Sequence, residues 1–282
     1  MLSRTEVNQL LAQHGLAPRR DLGQNFVVDP NTVRRIARLA GVGPGDHVLE
    51  IGPGLGSLTL ALAETGAHVR AVEVDRGVVP VLRQITAQHP LVEVIEGDAM
   101  QLDWPAALAD HPTWFLVANL PYNVATPLIC DLLDGVPAIA RMLVMVQREA
   151  ADRLCAAPRS PAYGAVSVKV SYWATARIAG TVPASVFVPR PNVESALAEI
   201  NRRDAPATAA DRDRLFHLVR TAFGQRRKML RRSLAGIVPT EAFEAAGIDA
   251  QRRPEELDVA EWGALTDALV ARVPTVPDDA HR

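Results

Sequence analysis

Cysteine is scarce in this chain of 282 residues, which contains only Cys130 and Cys155. The two lie far apart and no C-x-x-C pair exists, so the sequence suggests neither a disulfide framework nor a zinc site. No run of about 18 apolar residues is present, which argues against a membrane-spanning helix. Residues 1–15 lack the basic start, apolar core and small-residue cleavage site of a secretory signal. We therefore expect a cytoplasmic protein.

A basic surplus is also missing, since 30 Lys and Arg face 32 Asp and Glu for a formal net charge of −2. Proteins that bind nucleic acid usually carry an excess of positive charge. If this chain binds RNA, its positive charge must therefore be concentrated in one region. The length permits one large domain or a large and a small one.

Short apolar segments alternate with helical ones in the first half of the chain. Little polar alternation interrupts the apolar segments, as expected of strands that are buried on both faces. The strands are predicted at 47–51, 69–74, 92–95, 114–118 and 142–146, and intervening helices at 58–64 and 78–88. This order predicts a parallel sheet with crossover helices. Two later segments, 167–175 and 195–201, lack a clear helix between them and are predicted to pair antiparallel at the sheet edge.

A linker is predicted at 203–210, because 203–208 reads Arg-Asp-Ala-Pro-Ala-Thr. It separates a predicted domain at 1–202 from a small helical domain at 211–282. Helical spacing places Leu215, Leu218 and Ala222 on one face after the linker. A second helix start is predicted at Pro254, because proline suits the first helical turn.

A glycine-rich turn, Glu50-Ile51-Gly52-Pro53-Gly54-Leu55-Gly56, follows the first predicted parallel strand and precedes a helix. Glycines allow a sharp turn and a close approach of the backbone to a ligand. The dinucleotide-binding fingerprint needs another glycine where Ser57 stands. Taken alone, the turn is also consistent with a tight strand-to-helix connection that binds nothing.

Carboxylates follow the next two predicted strands. Glu73 lies about 20 residues beyond the first glycine, where an acid accepts hydrogen bonds from both ribose hydroxyls. This position also fits NAD. Asp98 can accept a hydrogen bond from an adenine amino group, or it can cap a helix. Ligands of such sheets bind beyond the carboxyl ends of the strands, where both acids are expected.

The tetrapeptide Asn119-Leu120-Pro121-Tyr122 follows the fourth predicted strand. The exocyclic amine of adenine is a poor nucleophile, because its lone pair is delocalised into the ring. The side-chain carbonyl of Asn119 and the backbone carbonyl of Leu120 can accept its hydrogens, while Pro121 fixes the turn. Tyr122 can stack on an extruded base. The alternative is a capping asparagine in a proline turn with a tyrosine in the core.

Two further segments have a plain structural interpretation. Residues 23–26, Gly-Gln-Asn-Phe, form a polar loop before Asp29-Pro30, a good start for a helix over 33–39. Phe187 lies between valines and is typical of a core residue. The sequence Pro189-Arg190-Pro191 that follows suggests an exposed loop.

Together these motifs resemble the ribosomal RNA adenine N6,N6-dimethyltransferases of the small ribosomal subunit (KsgA/RsmA type), over about residues 20–234. The resemblance is carried by the segments 23–26, 50–56, 73–75, 97–99, 119–123, 187–191 and 223–228. It implies a seven-stranded Rossmann-like methyltransferase domain followed by a small all-helical domain. It also implies dimethylation of two adjacent adenosines in a hairpin loop near the 3′ end of 16S rRNA, late in subunit assembly.

The resemblance also implies roles for single residues. The methyl donor, S-adenosylmethionine, is expected to contact Gln24, Asn25, the backbone at Val27, Gly52, Gly54, Glu73, Asp98 and Asn119. The target adenine is expected to contact Asn119, Leu120, Pro121 and Tyr122, with Phe187 on its other face. No metal is expected.

Positive charge is concentrated in residues 220–232, which contain no acid. Arg227 and Arg231 are four residues apart, as are Lys228 and Arg232, so a continuous helix would place each pair on one face. Such a face attracts phosphates through counterion release. The RNA-binding residues are predicted to be Arg226, Arg227, Lys228, Arg231 and Arg232. The alternative is a solvated helix face.

Three other functions compete with this one. The nearest is a 23S rRNA adenine methyltransferase of the macrolide-resistance (Erm) type, which shares the donor loop and a similar N-[IL]-P-[YF] motif. Leu120, the 187–191 loop and the helical domain favour the small-subunit alternative. The second is a mainly non-catalytic ribosome assembly factor, and the third an NAD-dependent dehydrogenase, which Ser57 disfavours. We expect a monomer that binds 16S rRNA within an immature small subunit. We do not expect it to bind a membrane.

Overall fold

The apolar segments of the first half form the centre of one sheet.

The structure, a computed structural model, describes residues 1–270. The chain divides into two units. Unit 1 comprises Met1–Cys155 and Thr175–Arg202, and unit 2 comprises Ala156–Ala174 and the residues from 203 onward. Unit 2 thus includes a segment from inside the range 1–202 that the sequence predicts as the first domain.

Strands and helices alternate in unit 1. Its strands are β1 (Phe26–Val27), β2 (His47–Ile51), β3 (His68–Glu73), β4 (Val92–Glu96), β5 (Trp114–Asn119), β6 (Ile139–Gln147), β7 (Ala174–Val182), β8 (Phe187–Val188) and β9 (Ser195–Arg202). Its helices are α1 (Arg4–Gln13), α2 (Pro30–Ala40), α3 (Ser57–Ala63), α4 (Val79–Thr86), α5 (Trp104–Ala107), α6 (Ala125–Gly135) and α7 (Arg148–Leu154).

Seven of these strands form one sheet in the order β4-β3-β2-β5-β6-β9-β7. The pairs from β4 to β6 are parallel, and β9 runs antiparallel to β6. The prediction of a seven-stranded Rossmann-like fold is therefore confirmed. Because β2, β3, β4 and β5 are parallel, their carboxyl ends meet at one edge, where the predicted motifs follow them.

A separate two-stranded sheet within unit 1 joins residues 19–27, which we call the N-terminal arm, to the later strand β8. In it, β1 pairs antiparallel with β8, with Phe26 opposite Val188 and Val27 opposite Phe187. Helix α2 then starts at Pro30, after Asp29 accepts a hydrogen bond from Thr32 N at 3.0 Å. The segment 23–27, which leads into β1 and forms it, is thereby held just ahead of α2, where it lines the cavity at the carboxyl edge.

Unit 2 is helical in its described part. Its helices are α8 (Ala165–Trp173), α9 (Arg212–Gly224), α10 (Leu230–Ser233), α11 (Thr240–Ala245) and α12 (Val259–Val270). They enclose an apolar core that includes Tyr163, Phe216 and Trp262. The predicted all-helical C-terminal part is therefore present, with α9 capped by Asp211 as the linker ends.

The prediction of a strand at 167–175 is wrong. Residues Ala165–Trp173 form α8, and the edge strand β7 begins only at Ala174. The segment buries Ser167, Val168, Val170 and Tyr172. Val168 and Tyr172, four residues apart on one helix face, both join the core of unit 2. Packing against helices thus decides the conformation of a β-branched segment whose composition suggests a strand.

The continuous basic helix predicted over 220–232 is also wrong. Helix α9 ends at Gly224, a turn follows, and the four-residue α10 begins at Leu230. The chain leaves the helical conformation at Gln225, which caps α9 with φ −126° and ψ 42°. The i,i+4 argument for a shared cationic face therefore does not hold. Among residues 1–270, no helix combines the length and apolar character that crossing a membrane requires.

Candidate active site

The glycine-rich turn between β2 and α3 takes a conformation that favours glycine. Gly52, Gly54 and Gly56 have φ angles of 70°, 56° and 86°. A Cβ atom on Gly54 would lie 2.8 Å from the ring of Phe26. The packing of Phe26 therefore requires glycine at position 54, and both Gly52 and Gly54 line the cavity at the carboxyl edge of the sheet.

Glu73 ends β3 and is locked against this turn. Its Oε2 accepts a hydrogen bond from Gly54 N at 2.9 Å, and its Oε1 accepts one from Asp75 N at 2.9 Å. Burial raises the pKa of Glu73, and the two backbone donors oppose this. The carboxylate is thus held in one orientation and keeps lone pairs for two ribose hydroxyls.

Asp98 follows β4 and lines the same cavity. Its Oδ1 accepts a hydrogen bond from Met100 N at 2.9 Å. The alternative of a helix cap is wrong, because no helix starts at Asp98 and α5 is capped by Asp103; the bond to Met100 N instead fixes the Asp98 side chain in a turn. One carboxylate oxygen is used in this way, and the second remains for a ligand.

The N-terminal arm closes one side of the cavity. Gln24 donates from Nε2 to Asp75 Oδ2 at 2.7 Å, and its Oε1 accepts from Arg19 N at 2.9 Å. Gln24 thus anchors the arm with both ends of its amide. Asn25 Nδ2 donates to Gly23 O at 3.1 Å, which leaves the Asn25 side-chain oxygen as an acceptor.

Asn119 ends β5 opposite the arm. Its Nδ2 donates to the backbone oxygen of Asn25 at 3.0 Å. This bond fixes which way the amide faces, because the nitrogen is committed to the arm. The side-chain oxygen Oδ1 is therefore available as an acceptor in the cavity that Asn119 lines.

The residues after Asn119 are held by neighbouring elements. Leu120 N donates to Met145 O on β6 at 3.1 Å, and Pro121 O accepts from Ala125 N at the start of α6. Tyr122 is half-buried, and its hydroxyl lies 2.6 Å from Ser195 Oγ. Burial raises the pKa of Tyr122, so the phenol stays neutral at physiological pH.

A single cavity of about 270 Å³ unites these groups. All of the residues predicted for the donor site and for the adenine line it, with one exception. The lining includes Gln24, Asn25, Val27, Gly52, Gly54, Glu73, Asp98, Asn119, Leu120, Pro121 and Tyr122.

The exception is Phe187, whose expected place against the adenine is not found. Its side chain is fully buried in the core of unit 1, with Val27, Val33 and Val182 among its neighbours in that core. The pairing of β8 with β1 directs Phe187 inward. The apolar context of the sequence, which is typical of a core residue, is the better guide here.

Glu50 is a lining residue whose own role the sequence did not predict, although it opens the glycine motif. Its side chain is buried, and its Oε2 has no hydrogen-bond partner within the described residues. Burial, with a smaller contribution from the charge of Glu73, raises the pKa of Glu50 to about 8. The signal in the sequence was an acid inside an apolar strand that is buried on both faces.

These groups fit S-adenosylmethionine. Gly52 lines the cavity without a side chain, which leaves room for a ligand close to its backbone, and Glu73 matches a pair of ribose hydroxyls. Glu50, whose Oε2 is buried and has no hydrogen-bond partner within residues 1–270, also lines this cavity, and a polar ligand group would satisfy it. Residues 1–270 contain no group of three or more His, Cys, Asp or Glu arranged to hold a metal ion.

The predicted RNA-binding residues lie in unit 2, away from these motifs in the chain. Arg226 already has partners within unit 2, since it forms an ion pair with Glu255 at 2.7 Å and donates a hydrogen bond to Pro161 O. The other four are exposed, and none forms an ion pair within residues 1–270. We call these four the basic cluster: Arg227, Lys228, Arg231 and Arg232.

Comparison with known proteins places the chain in a family. The family model "Ribosomal RNA adenine dimethylase" matches residues 15–270. A curated protein of Bifidobacterium longum subsp. infantis, named ribosomal RNA small subunit methyltransferase A, is 45% identical and the match covers 95% of this chain and 94% of that protein. A protein of the same name from Kineococcus radiotolerans is 47% identical, with 94% and 90% covered.

Solved structures agree on the fold. A dimethyladenosine transferase of Plasmodium falciparum matches with a TM-score of 0.74 at 22% identity, over 84% of this chain and 94% of that chain. The 23S rRNA methyltransferase ErmE matches with a TM-score of 0.68 at 26% identity, over 87% and 99%. The family model covers most of the chain and the curated relatives cover nearly all of it, so this protein belongs to the ribosomal RNA adenine dimethylase family.

Proposed function

We propose that this protein transfers methyl groups from S-adenosylmethionine to N6 of two adjacent adenosines in the 3′-terminal hairpin loop of 16S rRNA. The observation that carries the proposal is the fixed orientation of Asn119. Its amide nitrogen is bound to the arm, so its carbonyl oxygen is presented in the same cavity as Glu73 and Asp98. An acceptor at that point is what an amine nucleophile needs, whereas hydride transfer to NAD needs none.

One part of the cavity, lined by Gly52, Glu73 and Asp98, binds and orients the methyl donor. Glu73 accepts from the ribose hydroxyls, Asp98 accepts from the adenine amino group of the donor, and the turn at Gly52 supports the methionine part. When bound, the donor supplies a methyl group on a positively charged sulfur. The buried part of the lining, which includes Glu50 and Glu73, strengthens these hydrogen bonds because it lowers the local dielectric constant.

The other part of the cavity, lined by Asn119, Leu120 and Tyr122, orients the amino group of the target adenine. Asn119 Oδ1 and Leu120 O accept the two amino hydrogens of the target adenine, which favours a pyramidal nitrogen with a localised lone pair. The new C–N bond would form as the C–S bond of the donor breaks with the thioether as leaving group, and the proton lost by the nitrogen would pass to solvent. No strong base is needed, because that nitrogen is acidic once it carries the methyl group. Tyr122 stacks on the extruded base.

The basic cluster supplies phosphate contacts. Four exposed cations, none of which forms an ion pair with another described residue, attract RNA by counterion release, and they allow a chain with a net charge of −2 to hold it. Arg226 is left out of this set because Glu255 already neutralises it. We also propose that the protein acts as a monomer, in the cytoplasm, on an immature small subunit.

One experiment tests the proposal against its nearest alternative. The protein is incubated with labelled methyl donor and, in parallel, with undermethylated small subunits and undermethylated large subunits. The modified nucleosides are then mapped by mass spectrometry. We expect N6,N6-dimethyladenosine at two neighbouring positions in small-subunit RNA. Label in large-subunit RNA instead would favour the Erm-type function, which the similarity to ErmE makes the second candidate. Subunit binding without transfer would favour the assembly-factor alternative.

A further inference from the structure

The ring of Tyr122 is held from a second strand. The backbone of its segment is fixed by the bond from Leu120 N to Met145 O and by the start of α6. Neither bond restrains rotation of the tyrosine about its own side-chain torsions. The phenol hydroxyl, however, lies 2.6 Å from Ser195 Oγ, a residue 73 positions away in the chain. This bond fixes the far end of the ring.

Ser195 is itself rigidly placed. It is the first residue of β9, fully buried, and pairs with Gln147 on β6. The adjacent bond from Arg148 N to Glu194 O, at 3.0 Å, closes the ladder at this end. A separation of 2.6 Å lies at the short end of the range for hydroxyl–hydroxyl hydrogen bonds. Ser195, held by the sheet, therefore fixes the hydroxyl of Tyr122, a half-buried aromatic side chain that lines the cavity.

We infer that Ser195 is a positioning residue for methyl transfer, which fixes the rotamer of Tyr122 so that its ring meets the extruded adenine in one orientation. The inference rests on the proposed function of Tyr122. A stacking ring that can swing presents the base to the donor in several orientations, and catalysis needs one. Side chains that hold a reacting pocket in one geometry act through such supporting bonds. Ser195 is not among the residues that line the cavity, so its effect should appear in the rate and not in affinity.

A double-mutant cycle tests this assignment. Ser195→Ala and Tyr122→Phe each remove the same hydrogen bond from opposite sides and keep both backbone and ring. We expect each to lower the single-turnover rate, at saturating donor and small subunit, by about 3- to 10-fold, the worth of one neutral hydrogen bond. Donor affinity and subunit affinity should stay at the wild-type values. The double variant should be no slower than the slower single variant, because one bond can be lost only once.

A matched control removes a buried hydroxyl elsewhere in unit 1. Thr86 Oγ1 donates to Leu82 O within α4 at 2.9 Å, and Thr86→Val should leave the rate unchanged. If the losses of Ser195→Ala and Tyr122→Phe multiply in the double variant, Ser195 acts only on the sheet and the inference fails. A wild-type rate in Ser195→Ala also overturns it. A wild-type protein that transfers no methyl group to small subunits refutes the proposed function and this role together, so the two failures are distinguishable.

Discussion

Replacing Glu50 by glutamine should change how the stability of the protein depends on pH. Glu50 is buried at the carboxyl end of β2, and burial raises its pKa from 4.5 to about 8. A carboxyl whose pKa is higher in the folded than in the unfolded state stabilises the fold at low pH, and this contribution is lost as pH rises from about 4.5 to 8. The difference between the two values, at about 1.36 kcal/mol per pH unit, corresponds to about 5 kcal/mol.

Glutamine keeps the shape of the protonated acid and cannot ionise. Between pH 5 and pH 8 the wild type should therefore lose about 3–4 kcal/mol of unfolding free energy relative to Glu50→Gln. The assay is urea unfolding of both donor-free proteins at several pH values in this window. Glu64→Gln, which removes an exposed acid at the end of α3, is the control. It should keep the wild-type pH dependence.

Parallel stability curves for the wild type and Glu50→Gln would refute the reasoning, because they would mean that Glu50 ionises equally in the folded and unfolded chains. A variant that is less stable by the same amount at every pH would show the same. The argument would then fail at its first step, the desolvation of this carboxyl.

Four further outcomes are expected. Glu73→Ala should weaken S-adenosylmethionine binding by about 1.5–3 kcal/mol in calorimetric titration, the loss of charge-assisted hydrogen bonds; unchanged affinity would remove Glu73 from the site. Replacing the basic cluster by alanine should lower RNA affinity and flatten its salt dependence by about 0.7–0.9 per lost phosphate contact. Filter binding measures this, and Arg214→Ala on α9 is the control; an unaltered slope would show that RNA binds elsewhere. Asn119→Ala should lower the single-turnover rate by about 10²–10³ and accumulate monomethyladenosine, because one acceptor is lost in the transition state; full dimethylation at a near-normal rate would leave Asn119 as a turn cap only. Burial lowers the pKa of His47, and the stacked rings of His111 and His68 add to this at centroid distances of 3.8 and 4.8 Å. Stability should therefore fall as pH drops below about 6.5, and less so in His47→Phe, as urea unfolding at pH 5 and 7 can check.

Much of the candidate site was predictable because its residues follow strands. Gly52, Glu73, Asp98 and Asn119 each come directly after or at the end of an apolar strand, and parallel strands bring their carboxyl ends to one edge. Local chemistry and chain order suffice for that conclusion. Helix α2 was equally predictable, from Asp29 and Pro30 at its start.

Two of the errors share one cause, the influence of packing partners that are distant in the chain, whereas the predicted basic helix over 220–232 fails at a local break, the end of α9. The segment 165–173 is rich in β-branched residues, yet it forms a helix because Val168 and Tyr172 pack into the core of unit 2. The basic segment was read as one helix, although Gly224 ends α9 within it. Phe187 was placed at the adenine by resemblance, whereas its pairing with Val27 turns it into the core.

The sequence by itself determined the alternation of strands and helices in the first half of the chain, the glycine turn, the acids at the strand ends and the chemistry of the Asn119 tetrapeptide, because these depend on neighbours in the chain. Only the tertiary structure decided the protonation of Glu50, the direction of the Asn119 amide and the bond from Tyr122 to Ser195. Burial and hydrogen-bond partners set these properties, and both come from elements that are far apart in sequence and meet only in the folded chain.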